Sequence, residues 1–413
     1  MIKVKEYIKN EVKEAYGCTE PASVALTVAR ACQETDEKVE NIFIETSKSI
    51  YKNGMAVKIP GTNGQRGNII AAALGSKLNN ISLEIFKGCT SNIVKEALKM
   101  VNEKKVSVKC LYEKSGVYTK ATIKTKNHEI ITISEGKHDF ISLVLKDGKE
   151  IYKNEYIEED SIKYFELKDG IVDEILNSLK TLDENDLNFI TKGIEMNLDA
   201  ANKCIKEEIP GHELLKNFED CDMNEIRKCA MAASAARMDG AFVPIMSSGG
   251  SGNQGIVTTV PVGILGKNLK KSKKEIAKAA VIAHLISGYI KDKVGKLAPI
   301  CGAFFSAGAG AAGALTWLMG GNIGQIEQAI ETMLSNTTGI MCDGAKESCA
   351  FRVGTAVAEA HAAAIMVLKK THVACSEGFI DCSLEKTIDN VVKINKAFEN
   401  LDNTLIKIIE ERY

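Results

Sequence analysis

The 413-residue chain has almost no net charge: 53 Lys and Arg stand against 54 Asp and Glu, leaving −1 at pH 7. A chain so balanced lacks the basic footprint that holds nucleic acid or an anionic membrane, so neither is an expected partner. Aromatics are scarce at 6%, with a single tryptophan, Trp317. The core must then be made of Ala, Ile, Val and Leu, which favours closely packed helices. No G-x-x-x-x-G-K-[ST] run occurs, which removes the P-loop nucleotide enzymes. The N-terminal "MIKVKEYIKNEVKEAYG" is an amphipathic, mixed-charge helix without the apolar stretch of a signal peptide, and a cytoplasmic protein is expected. One stretch, Leu297 to Ile323, carries no charge and has the length of a membrane span. Its Pro299 and its many glycines instead point to backbones in close approach inside a soluble core.

The length exceeds what one core holds, so two subdomains are expected. The expected fold class is α+β: a mainly helical catalytic domain with a smaller α/β domain carrying an antiparallel sheet. Residues 1–35 read as two helices broken at "YGCTEP" and packing on the catalytic domain. Residues 36–165 hold β-like runs ("VENIFIETS", "MAVKI"), the glycine turn "PGTNGQRGN" opening into a helix, and a strand meander over 105–146. From 166 to 413 the period is helical, interrupted by glycine-rich loops.

Cysteine is plentiful, at twelve residues. In a cytosolic chain these are expected as thiols or metal ligands rather than disulfides. Cys32, Cys110, Cys204 and Cys229 lie among apolar or helical neighbours and read as buried structural thiols. Three others stand out. Cys342 and Cys349 lie seven residues apart in "GIMCDGAKESCAFRVG", and Cys301 lies 41 residues before Cys342, at the head of a Gly/Ala-rich segment. Asp343 is expected to cap a helix beginning at Gly344 or Ala345, which puts Cys342 at the positive end and Cys349 on the same face. Three thiolates on a four-iron cluster would leave one iron open to substrate, making a Lewis-acid enzyme. The spacing matches no common ferredoxin or zinc run, and structural thiols fit it too. Cys18 sits in "GCTEP", just before a helix that Thr19 would cap. There the helix dipole lowers a thiol's pKa while Glu20 opposes it; a reactive thiolate or base and a small turn residue both fit.

"SSGGSGNQGI", residues 247–256, reads as an anion-binding loop of backbone N–H groups with Ser247, Ser248 and Ser251 adding hydroxyls. "GTNGQRGN" at 61–68 is a second such loop, with Arg66 available for a carboxylate. Gly308, Gly310 and Gly313 satisfy G-x-G-x-x-G by composition alone, without a clean preceding strand, so a dinucleotide fold is not expected. His284 and His361 lie in apolar helices and read as core histidines.

Taken together, "YGCTEP", "PGTNGQRGN", "SSGGSGNQGI", "PICGAFFSAGAGAAGA" and "MCDGAKESCAFRV" resemble the L-cysteine desulfidase family, whose relatives include UPF0597-type proteins and the iron–sulfur L-serine dehydratases. The resemblance runs from about Cys18 to Arg352, and five ordered motifs make it specific. It implies that Cys301, Cys342 and Cys349 hold a [4Fe–4S] cluster and that Cys18 is the proton acceptor. It also implies a helical catalytic domain beside a smaller α/β domain. The implied reaction converts L-cysteine and water to pyruvate, ammonia and hydrogen sulfide without pyridoxal phosphate. The "GTNGQRGN" loop is more polar than the family's usual form.

Under that implication Ser247, Ser248 and Asn253, with Arg66, are the expected holders of the carboxylate of a small amino-acid substrate. Three other readings stand beside it. L-Serine dehydration would use the same open iron on a hydroxyl. A pyridoxal-phosphate lyase would explain a loop similar to "SGGSGNQG", but no Schiff-base lysine motif accompanies it. A non-catalytic cluster redox sensor would need an output surface such as a basic recognition helix, and none is evident. Homo-oligomerisation is left open by the sequence.

Overall fold

The computed structural model describes residues 2–155, 163–215, 225–295 and 298–412. Leu297, which begins the uncharged stretch, and Cys221 lie outside them. The chain opens with α1 (Val4–Glu11), the short strand β1 (Glu14–Tyr16) and α2 (Thr19–Cys32). Then come β2 (Asn41–Ser47), α3 (Lys48–Gly54), α4 (Asn68–Gly75), α5 (Ser91–Asn102) and β3 (Val106–Leu111). The strands β4 (Tyr118–Lys124), β5 (Glu129–Glu135), β6 (Ile141–Lys146) and β7 (Lys149–Lys153) complete a six-stranded sheet ordered β3-β2-β4-β5-β6-β7.

Alternation sets the buried face of this sheet. Ile42 and Ile44 are buried with Ala121, Ile123 and Ile130, while Phe43 between them is exposed. The meander expected over 105–146 holds for β4 to β6 and continues into β7 beyond it, but β3 leaves it to pair parallel with β2 at the edge. The sheet is therefore mixed rather than antiparallel. A parallel partner needs a long crossover, and α3, α4 and α5 between β2 and β3 provide one. Alternation tells which side of a strand is buried, not which strand lies beside it. "MAVKI" is not a strand: its end forms a narrow loop in which Ile59 N bonds Gln65 O at 2.9 Å and Lys58 bridges Arg66.

The helical unit comprises α6 (Ile171–Ser178), α7 (Glu184–Ile205), α8 (Glu225–Met238), the strand β8 (Pro244–Met246), α9 (Gly252–Asn268), α10 (Lys273–Val294), α11 (Gly302–Leu318), α12 (Ile323–Thr337), α13 (Cys349–Leu368), α14 (Leu384–Ala397) and α15 (Glu399–Glu410). The uncharged Gly/Ala run is α11, buried against α9, α10, α12 and α13. Glycine there does allow close approach: a Cβ on Gly310 would stand 2.3 Å from the Ala283 carbonyl oxygen of α10. Among the described residues only α13 is long and apolar enough to cross a membrane, and it packs between α8 and α11.

The N-terminal helices divide between the two units. Val4, Tyr7 and Ile8 of α1 join the helical core, whereas Ala22, Leu26 and Val28 of α2 lie in the sheet unit's core. The run "SVALTVA" has no polar face, so α2 is burying surface on nearly all sides, against α4 and the sheet. At the other end α15 also returns to the sheet unit, where Ile406 meets Tyr51, Met55 and Cys110. The strand β1 pairs antiparallel with β8, so the segment before α2 is stitched to the helical unit. These crossings bring the N-terminus of α2 against the helical core.

Candidate active site

The segment before α11 and the segment before α13 meet as a short antiparallel bridge, Ile300 opposite Met341. Cys301 N bonds Ile340 O and Cys342 N bonds Pro299 O, each at 2.7 Å. Cys301 and Cys342 each follow a residue of this bridge, so the pairing brings the two segments that carry them side by side. Cys301 is the N-cap of α11 and Cys349 the first residue of α13, so two helix N-termini face the thiols.

The helix expected from Gly344 or Ala345 begins only at Cys349. Gly344 has φ +96°, and a Cβ there would lie 2.3 Å from the Lys52 carbonyl oxygen. The chain must bend where α3 crosses it. Asp343 caps nothing; it binds Lys346 Nζ and, at 2.8 Å, Arg352 Nη1. Burial pushes the Cys301 thiol upward, and negative charge on Cys342 and Cys349 adds to this. Burial also raises Cys349, opposed by Lys346. The three thiols feel one another, and the cations Lys346 and Arg352 offset the charge they would carry.

Among the described residues no three Cys, His, Asp or Glu side chains close together as ligands of a single metal ion would. A tetranuclear cluster makes a different demand, since each thiolate meets its own iron. Three soft donors close enough to act on one another's charge, two of them at helix N-termini, with Lys346 and Arg352 beside them, are of the chemistry that group takes.

Cys18 lies at the edge of this arrangement. It is the N-cap of α2, the place expected of Thr19, and its backbone is extended. It is 5% exposed and clusters with Val57 and Met238, against which Cys349 and Ala345 pack. Its Sγ donates to Glu20 Oε2 at 2.8 Å, while Asn53 Nδ2 donates to Glu20 Oε1 at 3.0 Å. Burial, then the Glu20 charge, drive the Cys18 thiol well above its ordinary value against the pull of Arg237. Burial would raise Glu20, but His138 and the bonds from Cys18 and Asn53 outweigh it and hold the carboxyl low. The dipole effect expected at Cys18 therefore loses to desolvation, and the pair rests as thiol and carboxylate.

The serine loop differs from the anion nest that its composition predicts. The amides of Ser247, Ser248, Gly249 and Ser251 bond Lys13 O, Ser251 O, Glu11 O and Ser248 O. Ser247 Oγ donates to Lys13 O at 2.6 Å, and Ser248 Oγ lies 2.9 Å from His284 Nδ1. Ser247 and Gly249 thus hold the segment before β1, Ser248 is buried against His284, and Ser251 Oγ caps α9 by accepting from Gln254 N. Asn253 Oδ1 accepts from Ser234 Oγ at 3.1 Å and Arg237 Nη1 at 3.3 Å. Arg66 does reach the thiol loop, pairing with Glu347 at 3.1 Å on an exposed edge. Arg237, Asn53, Lys346 and Arg352 escaped the sequence reading. The one signal was an arginine inside the small-residue run "MAASAARMDG" of α8.

His284 is 1% exposed and desolvation lowers its pKa to about 3, as befits a core histidine; burial lowers His361 too. Burial raises Cys32, Cys110 and Cys204 to about 12 and Cys229 to about 11, leaving them inert thiols. Against expectation, Cys375 and Cys382 are joined as a disulfide across the loop before α14. A surface hollow lined by Asn322, Gln325, Lys370 and His372 lies at the C-terminal end of α13, about 27 Å along the helix from Cys349.

Comparison with known proteins adds the kinship. Residues 82–407 match the family model described as serine dehydratase alpha chain. A UPF0597 protein of Kosmotoga olearia is 43% identical over 100% of this chain and 99% of its own length. UPF0597 proteins of Elusimicrobium minutum and Caldanaerobacter subterraneus are 34% and 32% identical, each covering at least 97% of both chains. The chain is a member of the UPF0597 family. This UPF0597 chain thus belongs to a lyase-like family related to the iron–sulfur serine dehydratases. The matched model takes in all three thiols and Arg237, while Cys18 lies in the part that only the UPF0597 relatives cover.

Proposed function

We propose that this protein is an L-cysteine desulfidase: L-cysteine and water give pyruvate, ammonium and hydrogen sulfide. The observation that carries the reading is the bridge Ile300–Met341, which pairs the segments carrying Cys301 and Cys342, with Cys349 packed against the cluster of Cys18, Val57 and Met238. Cys301, Cys342 and Cys349 would hold a [4Fe–4S] cluster, which supplies a Lewis acid for the leaving sulfur when bound.

The protein's own groups handle the proton. Elimination breaks the Cα–H and Cβ–S bonds. Cys18 donates its S–H to Glu20 Oε2 and becomes the thiolate that removes the Cα proton only once that carboxylate takes its hydrogen, a transfer that burial and the Glu20 charge oppose in the resting pair. Asn53 holds Glu20 in place, and burial excludes water from the pair. The resulting 2-aminoacrylate tautomerises to an imine that water hydrolyses after release. The substrate is a small amino acid; no nucleic-acid or membrane partner enters this reading, and a cytoplasm low in oxygen suits an exposed cluster.

A second reading, L-serine dehydration, is favoured by the description of the matched model, serine dehydratase alpha chain. Anaerobic purification followed by absorption spectroscopy and a pyruvate assay tests both. The expected result is a broad brown band that bleaches in air, with kcat/KM higher for L-cysteine than for L-serine. The reverse preference selects dehydration. A protein that stays colourless and inactive after iron and sulfide are supplied overturns both.

A further inference from the structure

Arg237 of α8 is 6% exposed, yet among the described residues its hydrogen-bond partners are Asn253 Oδ1 at 3.3 Å and Met238 Sδ at 3.7 Å. Among the described residues no carboxylate pairs with it, and its Nε has no partner. Burying a guanidinium without a counter-charge is costly unless an anion arrives to meet it. The guanidinium lies against Gly252 in the first turn of α9. A Cβ on Gly252 would stand 2.3 Å from Arg237 Nε, so only glycine lets the two meet. The positive end of a 17-residue helix and a buried cation therefore converge.

Gln254, on the same first turn, is 7% exposed, and its Oε1 has no partner. Its Nε2 end lies over Gly302, where a Cβ would stand 2.4 Å away, at the residue that follows Cys301. Arg237 on its side acts electrostatically on Cys18. An unsatisfied donor and an unsatisfied acceptor thus flank one helix N-terminus, between the proton-handling thiol and the proposed cluster thiols.

We infer that Arg237 and the N-terminus of α9 bind the α-carboxylate of an L-amino acid, while Gln254 Oε1 accepts from its α-ammonium. This rests on the amino-acid reading above and moves carboxylate recognition from the serine hydroxyls to α8 and the start of α9. Asn253 acts on the ligand through Arg237, which it positions.

The test is calorimetric titration of the anaerobic protein with two ligands. L-Alanine carries both charged groups but no leaving group, so it does not turn over. Cysteamine carries the thiol and ammonium but no carboxylate. Arg237→Met is expected to weaken L-alanine roughly 30-fold and leave cysteamine unchanged, with Arg237→Lys intermediate. Gly252→Ala is expected to mimic Arg237→Met, because the new methyl displaces the flexible guanidinium, and it decides the matter where Arg237→Met does not fold.

L-Alanine bound equally by wild type and both variants overturns the site, as does a loss that extends equally to cysteamine, or a wild type that does not bind L-alanine. A wild type that binds L-alanine through Arg237 yet makes no pyruvate from either substrate leaves the site standing and overturns the proposed function. Pyruvate formation with an unaltered KM in Arg237→Met does the opposite.

Discussion

Cys18 Sγ donates to Glu20 Oε2 at 2.8 Å within the buried first turn of α2. A thiol that gives its hydrogen to a carboxylate is not yet a base. It becomes one when the carboxylate takes the proton, and a water-free site makes that transfer local. Cys18→Ala is expected to lower turnover of L-cysteine by about 100-fold or more with the cluster absorption intact. Glu20→Gln should lower kcat with little change in KM, because glutamine keeps the hydrogen bond but cannot accept the proton. Full activity in cluster-loaded Cys18→Ala would remove the base assignment.

Single Cys→Ser substitutions at 301, 342 and 349 are each expected to abolish most of the iron content and the visible band. The same change at Cys229, a buried thiol of α8, should leave both unchanged. Iron and acid-labile sulfide analysis of the four variants checks this. Retained iron in two or more of the first three would mean that the thiols are structural.

Gly344→Ala sets a side chain on a left-handed backbone and against the Lys52 carbonyl oxygen, at 2.3 Å. Neither atom can step aside without moving α3 or the thiol loop. A loss of about 2 kcal/mol or more in unfolding free energy is expected, with reduced iron content, measured by denaturant titration and metal analysis.

Lys52 Nζ meets Asp402 Oδ1 at 2.5 Å, with only 3% of the lysine exposed. The pair ties α15 to α3, the helix that carries Asn53 and supports Gly344. Lys52→Met leaves the carboxylate buried and unpaired, at an expected cost of about 3–5 kcal/mol. Adding Asp402→Leu should recover most of that in the double variant. Comparing the two by urea unfolding separates the loss of a pair from the loss of packing.

His284 is neutral in the folded protein, with its pKa lowered to about 3 by burial, and near 6.5 when unfolded. The unfolded chain therefore binds the extra proton, and stability falls as pH drops below about 6.5 towards 3. Between pH 6.5 and 5 the expected loss from this group is about 2 kcal/mol. His284→Gln should flatten that part of the profile in unfolding measured against pH. An unchanged slope would place the acid sensitivity elsewhere.

The sequence by itself determined the two-part α+β character. A period of two over 118–146 and a helical period after 170 each bury one face and leave little choice of element. It also marked the glycines of α11, whose missing side chains let helices touch. The three cysteines were visible because thiols preceding glycine-rich or capping segments are rare enough to notice.

Only the tertiary structure decided what each group faces. The serines of 247–251 had the composition of an anion loop, but Ser247 bonds Lys13 O, the amides of Ser248 and Ser251 bond each other's carbonyls, and Ser248 Oγ meets His284. Thr19 had the better capping side chain, but packing against Val57 and Met238 drew Cys18 to that position. Arg237 looked like one more polar residue on a small-residue helix until the fold buried it without an anion. Local pattern fixes which surface a segment must hide; which partner hides it, and which charge is left waiting, depends on chain brought from hundreds of residues away.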